Sequence, residues 1–179
     1  MNIFITGGTT GIGLELAIQY LDLGSTVGIC GRDISKLPEK IKERYSTLHC
    51  YQVDVRSREN LTKAINEFVE HAGSLDIIYA NAGISLGKKT DLPNFELARD
   101  IFEINTMGVL NTFEVALEKM IQQKSGHLVA VASVAGFIGL PGAFAYSASK
   151  AAVLKVCESF SLTLPKYGIH TTAIAPGFI

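Results

Sequence analysis

Apolar residues in this chain fall into short unbroken runs, and between the runs they recur every three or four positions. The runs at 3–5, 26–30, 48–53, 75–80, 127–132 and 169–175 have the length and composition of strands. Leu14, Ala17, Ile18 and Leu21 mark a first helix, and Gly24 follows it as a C-cap. A polar, amphipathic stretch reaching Tyr45 predicts a second helix, its start blurred by Pro38. Ser57 can cap a third, which runs to about Ala72 with Leu61, Ala64, Ile65 and Phe68 on one face. Two longer helices are predicted over about 93–123 and 143–166.

Strands that are apolar throughout are buried on both faces, and their alternation with helices makes them parallel. Right-handed crossovers then build one α/β domain over residues 1–179, a doubly wound parallel sheet whose simplest strand order is 3-2-1-4-5-6. In such a sheet ligands bind beyond the carboxyl ends of the strands. That rim holds residues 6–13, Arg32, Asp54, Asn81, Ala82, Gly83, Ser133, Pro176 and Gly177.

Composition removes several alternatives. The 16 basic and 17 acidic residues give a net charge of −1 with no long block of either sign, so no nucleic-acid surface is expected. The longest stretch without Asp, Glu, Lys or Arg, 125–149, is long enough to raise the question of a membrane. It contains Gly126, Gly136, Gly139, Pro141 and Gly142, which fit a strand, a loop and a helix start better, so no membrane span is expected. The amino end enters strand pattern at once, without the pattern of a signal peptide. Cys30, Cys50 and Cys157 form no C-x-x-C, and their apolar neighbours imply reduced thiols in the cytoplasm. The four histidines are scattered, and no metal site is expected.

Residues 6–13 read TGGTTGIG, between the first strand and the first helix. Strand, glycine-rich turn and helix together bring bare amide N–H groups up to a phosphate, at a helix end whose dipole favours an anion. Gly7 and Gly8 offer positive φ for the turn, while Gly11 and Gly13 let a diphosphate approach and the helix pack close to the strand. The spacing is not G-x-G-x-x-G, and a turn without a ligand fits this stretch nearly as well.

Tyr146 and Lys150 are four apart, on one face of the last long helix. A free phenol, with a pKa of about 10, is a poor base at neutral pH. An ammonium beside it stabilises the phenolate, which could then exchange a proton with a carbonyl or alcohol oxygen. An isolated pair of this kind is more often an ordinary tyrosine and lysine. Here Lys150 is the only charge between Ala143 and Leu154, and Ser133 ends the fifth strand on the same rim. Asn105 lies inside the longest predicted helix, close to Gly108, where both are poor helix formers. It is either a tolerated polar residue, or its side chain or a backbone group freed by a local bulge holds a water near Lys150. Arg32 follows the second strand where NAD-binding folds commonly offer an acid to the ribose. Arginine favours a 2′-phosphate, with Thr9 as a possible hydroxyl donor, so NADP is preferred over NAD, although Asp33 blunts the argument.

With these residues in place, the chain resembles the short-chain dehydrogenase/reductase family, in the branch with single-domain, Rossmann-like subunits. Residues 6–13 look like its T-G-x-x-x-G-I-G cofactor turn, and Asn81-Ala82-Gly83 like its N-A-G motif. Asn105, Ser133, Tyr146 and Lys150 fall in the order and spacing of its catalytic tetrad, and Pro176-Gly177 matches its P-G turn. The resemblance implies cofactor contacts from Gly7, Thr9, Gly11, Ile12 and Gly13, from Arg32, and from Asp54 and Val55 near the adenine. It implies others from Asn81 to Gly83, from Tyr146 and Lys150, and from Pro176, Gly177 and Ile179 at the nicotinamide. It also implies a proton relay in which Tyr146 is the general acid and base, Lys150 supports it, Ser133 steadies the substrate oxygen and Asn105 positions a water.

The expected function is therefore an NADP-dependent interconversion of a secondary alcohol and a ketone, with a small carbonyl or alcohol compound as substrate. Relatives in the family continue past the P-G turn into a substrate-covering loop, another helix and a seventh strand. Against them the chain is expected to be a core truncated after Ile179, which leaves open a dinucleotide-binding domain with weak or no catalysis. The two long helices are poor in charge over 104–113 and 143–154, so a homo-oligomer packed through them is expected.

Overall fold

The computed structural model describes residues 1–85 and 92–177. Six parallel strands form one sheet in the order β3-β2-β1-β4-β5-β6, as expected. They are β1 (Asn2–Thr6), β2 (Thr26–Gly31), β3 (Leu48–Gln52), β4 (Ile77–Ala80), β5 (Gly126–Val131) and β6 (Ile169–Ile174). The register carries Ile3 beside Val27 and Ile77, and Ala130 beside Ala173.

The period-two pattern of β1 decides which layer each side chain enters. Ile3 and Ile5 pack with Val27, Ile29 and helix α1 (Gly11–Asp22) through Ala17 and Leu21. Phe4 points the other way, against Phe68 and Leu61 of helix α3 (Arg58–Ala72). All three β1 side chains are completely buried, which is why this strand reads as an unbroken apolar run. Ser57 caps α3 by accepting from the Asn60 amide at 3.3 Å, and Gly73 ends it in left-handed backbone at φ 86°.

The strand ends shift by one or two residues, β4 starting at Ile77, and the helices differ from expectation in three places. The segment before Tyr45 is broken by Pro38 into a 3₁₀ turn over Ile34–Lys36 and a short helix α2 (Glu39–Arg44). The long central helix starts at Phe95 and is not uniform: α4 (Phe95–Phe102) passes through a π-helical segment, Glu103–Met107, into α5 (Gly108–Gln123). The Gly108 amide reaches back to the Glu103 carbonyl, so the bulge anticipated around Asn105 is present. Helix α6 (Phe144–Thr163) ends earlier than expected, and a 3₁₀ turn, Pro165–Tyr167, with Gly168 at φ 75°, leads into β6.

Because the strands are parallel, their carboxyl ends gather on one rim. Among the described residues β6 pairs with β5 alone, no helix is long and apolar enough to cross a membrane, and the three cysteines are free.

Candidate active site

A cleft of about 480 Å³ opens along the carboxyl rim, a volume typical of small-molecule and cofactor sites. Its floor begins with the glycine-rich turn. Gly7 takes φ +67°, and a Cβ there would sit 2.9 Å from the Ala82 Cα, so the turn needs glycine twice over. Gly8 departs from expectation: it has no positive φ, and it is glycine because a Cβ would strike Ile29 at 2.6 Å. The second left-handed residue is Gly11, at φ +56°, with open space in front of its Cα. Gly13 faces inward, where a Cβ would fall 2.4 Å from the Gly7 carbonyl oxygen, so it serves the packing of α1. Thr10 makes no side-chain cap, which leaves the first-turn amides of α1 without a side-chain acceptor beside the cleft that Thr10 and Ile12 line.

The Asn81-Ala82-Gly83 segment clamps this turn. The Asn81 Nδ2 donates to the carbonyls of Thr6 (2.9 Å) and Gly7 (3.0 Å). Thr6 Oγ1 accepts from the Asn81 and Ala82 amides at 3.1 and 3.2 Å. The Nδ2 group of Asn81 is thus spent on the protein's own backbone, where it holds the turn in shape. At Gly83 a Cβ would lie 3.2 Å from Asn105 Oδ1 and 3.4 Å from Lys150 Nζ, so both side chains close over one bare Cα.

Ser133, Tyr146 and Lys150 all line the cleft. Helix α6 places Lys150 one turn after Tyr146, with Nζ 5.8 Å from the centre of the phenol ring. Lys150 is 4% exposed, and its Nζ donates to the Val131 carbonyl at 2.7 Å. Burial pushes its ammonium down to about 8. Ser133 caps the turn after β5, accepting from the Ala135 amide at 3.1 Å, which leaves its hydroxyl proton to donate. The Val134 amide donates to the Pro176 carbonyl at 3.0 Å and draws Pro176 and Gly177 to the same wall.

Asn105 stands behind this wall. Its side chain is completely buried: Oδ1 accepts from the Ile84 amide (2.8 Å), and Nδ2 donates to the Ile84 carbonyl (2.9 Å) and to Ser149 Oγ (3.2 Å). Its amide is therefore committed to the chain that leaves β4. Ser149 Oγ in turn donates to the Tyr146 carbonyl at 2.8 Å. Ser149 and Ile84 are residues that sequence reasoning missed. Their roles rest on contacts 44 and 21 positions away, and no local pattern announces them.

The far end of the cleft is lined by Thr9, Gly31, Arg32, Asp33, Lys36, Asp54 and Val55. Asp54 accepts from Arg56 through Nε and Nη2, the latter at 2.7 Å, and this pairing holds its carboxyl below the usual range. Ile179 lies outside the described residues. Gly11, Gly13 and Asn105 are brought to the site but do not line it; every other described candidate does.

The short chain dehydrogenase family matches residues 1–179 of this sequence. The chain belongs to that family. It is 31% identical over 179 residues to the 3-oxoacyl-[acyl-carrier-protein] reductase of Staphylococcus aureus, covering 98% of this chain and 73% of the relative. Among solved structures it is similar to a gluconate 5-dehydrogenase from Burkholderia cenocepacia in complex with NADP and tartrate. That likeness has a TM-score of 0.87 and 27% identity, over 98% of this chain and 70% of the other. An NAD⁺-bound xylitol dehydrogenase is similar at TM-score 0.91 and 28% identity, over 98% and 69%. The short-chain dehydrogenase fold and the general chemistry of NAD(P)-dependent oxidoreduction at CH–OH and carbonyl groups follow for this chain.

The residues present fit such a cofactor. Gly7, Thr9, Thr10 and Ile12 bring the glycine-rich turn to the cleft wall, and the first-turn amides of α1 have no competing side chain there. Among the described residues no three His, Cys, Asp or Glu side chains gather as a metal site.

Proposed function

We propose that this short-chain dehydrogenase is an NADP-dependent oxidoreductase interconverting a secondary alcohol and a ketone. The observation that carries the proposal is the buried Lys150 amine held beside Tyr146 on the wall that also bears Ser133. When bound, the nicotinamide supplies or accepts the hydride. The glycine-rich turn and the start of α1 would hold the diphosphate, with Asp54 and Val55 near the adenine and Pro176 and Gly177 at the nicotinamide end. Ser133 donates its free hydroxyl proton to the substrate oxygen. Tyr146 gives a proton to that oxygen in reduction and takes it back in oxidation. Lys150 stabilises the oxyanion left on Tyr146, and Asn105, in the π segment, sets the Ile84 backbone behind them.

Preference for NADP is supported at Gly31. A side chain there, where an acid would meet a ribose 2′-hydroxyl, would run into Thr9 Cγ2 at 2.9 Å. Arg32, next along, forms no ion pair among the described residues and lines the cleft. A twin subunit is proposed to pack on the helices α4 to α6, and the cytoplasm is the proposed location, since Cys30 and Cys157 are buried free thiols.

The test replaces Tyr146 by Phe and follows NADPH oxidation over a panel of small ketones, alongside a titration of NADPH binding. Turnover should fall by about 10²–10⁴-fold while NADPH affinity stays within a few-fold. Comparable activity in Tyr146→Phe would remove Tyr146 from the mechanism. Tight NADPH binding by the unaltered chain without turnover of any ketone would favour a dinucleotide-binding core instead.

A further inference from the structure

Resting on the NADP preference proposed above, we infer that Lys36 is a second specificity residue, which joins Arg32 in holding the 2′-phosphate while Ser35 ties one oxygen of Asp33 to its own turn. At the end of β2 the chain runs Gly31-Arg32-Asp33, so a cation and an anion stand side by side and sequence alone cannot rank them.

The local geometry ranks them. Asp33 is the N-cap of the 3₁₀ turn Ile34–Lys36. Its Oδ1 accepts from the Ser35 amide at 3.0 Å and from the Ser35 hydroxyl at 2.6 Å. These two bonds tie Oδ1 to its own turn and fix how the carboxylate is turned, while Oδ2 keeps its capacity to accept. The same turn carries Lys36 three residues on and brings it to the cleft wall with Arg32, Thr9 and Thr10.

Charge at this end of the cleft follows. The second acid, Asp54, is matched by Arg56 in a fork of hydrogen bonds. Among the described residues neither Arg32 nor Lys36 has an ion-pair partner within salt-bridge distance. Arg32, Lys36 and Arg56 therefore outnumber Asp33 and Asp54, which leaves a net positive end to the cleft. A guanidinium binds a phosphate in a fork, and an ammonium adds a point charge from the other side. A ribose hydroxyl in NAD would gain nothing from that second charge. Lys36 therefore discriminates between the coenzymes as well as strengthening binding.

The experiment is a calorimetric titration of the full chain and of Lys36→Gln, Arg32→Gln and Ser35→Ala, with NADPH, NADH and adenosine 2′,5′-bisphosphate. Both cationic side chains are exposed, so the variants should unfold at the temperature of the parent, which thermal melting checks. The expected result for Lys36→Gln is a loss of about tenfold in affinity for NADPH and for the bisphosphate, with NADH unchanged. Ser35→Ala should shift the preference the same way by a smaller factor. An unchanged NADPH affinity in Lys36→Gln, with Arg32→Gln losing it, would overturn the role of Lys36 and leave the NADP preference standing. An equal loss for NADPH and NADH would also overturn it. If the unaltered chain binds NADH as tightly as NADPH, the NADP preference itself falls.

Discussion

At the scale of single residues, the side chain with the largest consequence is Lys150. Its amine is nearly fully buried and donates to the Val131 carbonyl, and burial lowers its pKa from 10.5 to about 8. The sign is worked out from proton uptake. Below pH 8 folded and unfolded chains both hold the proton, and the folded one bears the cost of burying the charge. Between about 8 and 10.5 the unfolded chain still binds the proton and the folded chain has released it, so this lysine adds stability as pH rises. A Lys150→Met variant lacks that term and cancels the titration of other groups. Denaturant unfolding of the cofactor-free chains should show the parent gaining on the variant by on the order of 3 kcal/mol from pH 7 to 10.5. Parallel stability curves would mean that the amine is not desolvated. The sequence marked Lys150 through its isolation among uncharged neighbours. It could not mark Ser149, whose hydroxyl links Asn105 Nδ2 to the Tyr146 carbonyl, because a serine in a helix has no signature of a distant partner.

At the scale of elements, helices α4 to α6 bear on both the candidate site and the proposed association. They expose Phe95 (63%), Met107 (49%) and Phe144 (42%), with Phe95 and Phe144 rings 5.9 Å apart. Apolar side chains on the helices proposed to meet a twin predict association, so light scattering at micromolar concentration should give a mass of at least twice 19.3 kDa. A monomer mass would end that part of the account. The strands and helices were legible because unbroken apolar runs and an apolar recurrence near 3.6 differ so plainly. Pro38 was legible as trouble but not as a break between a 3₁₀ turn and α2, since a proline fits either the start or the end of a helix. Asn105 and Gly108 announced a weak point in the long helix. That it became a π segment was settled by the Gly108 amide reaching Glu103, and by packing so close that a Cβ on Gly108 would meet Val55 at 2.6 Å. At Gly8 composition misled, because a glycine chosen for close approach to Ile29 looks the same in sequence as one chosen for positive φ.

At the scale of the whole molecule, one rim gathers the candidate site because parallel strands deliver all their carboxyl ends to it. The glycine-rich turn, the Asn81 clamp, the cationic end at Arg32 and Lys36, and the Tyr146–Lys150 wall are far apart in sequence and converge on one cleft. The order of these motifs could be read along the chain. Their commitments could not: Asn81 to the turn, Asp33 to Ser35, Asp54 to Arg56 and Asn105 to Ile84 are bonds that only the folded chain defines. What would unite them is the phosphate-bearing coenzyme proposed to lie along the glycine-rich turn and the start of α1. Calorimetric titration of the folded chain with NADPH and with NADH tests this most directly. Saturable heat from NADPH, with affinity about tenfold or more above NADH, is the predicted result. No heat from either coenzyme, in a sample whose thermal unfolding is cooperative, would contradict it.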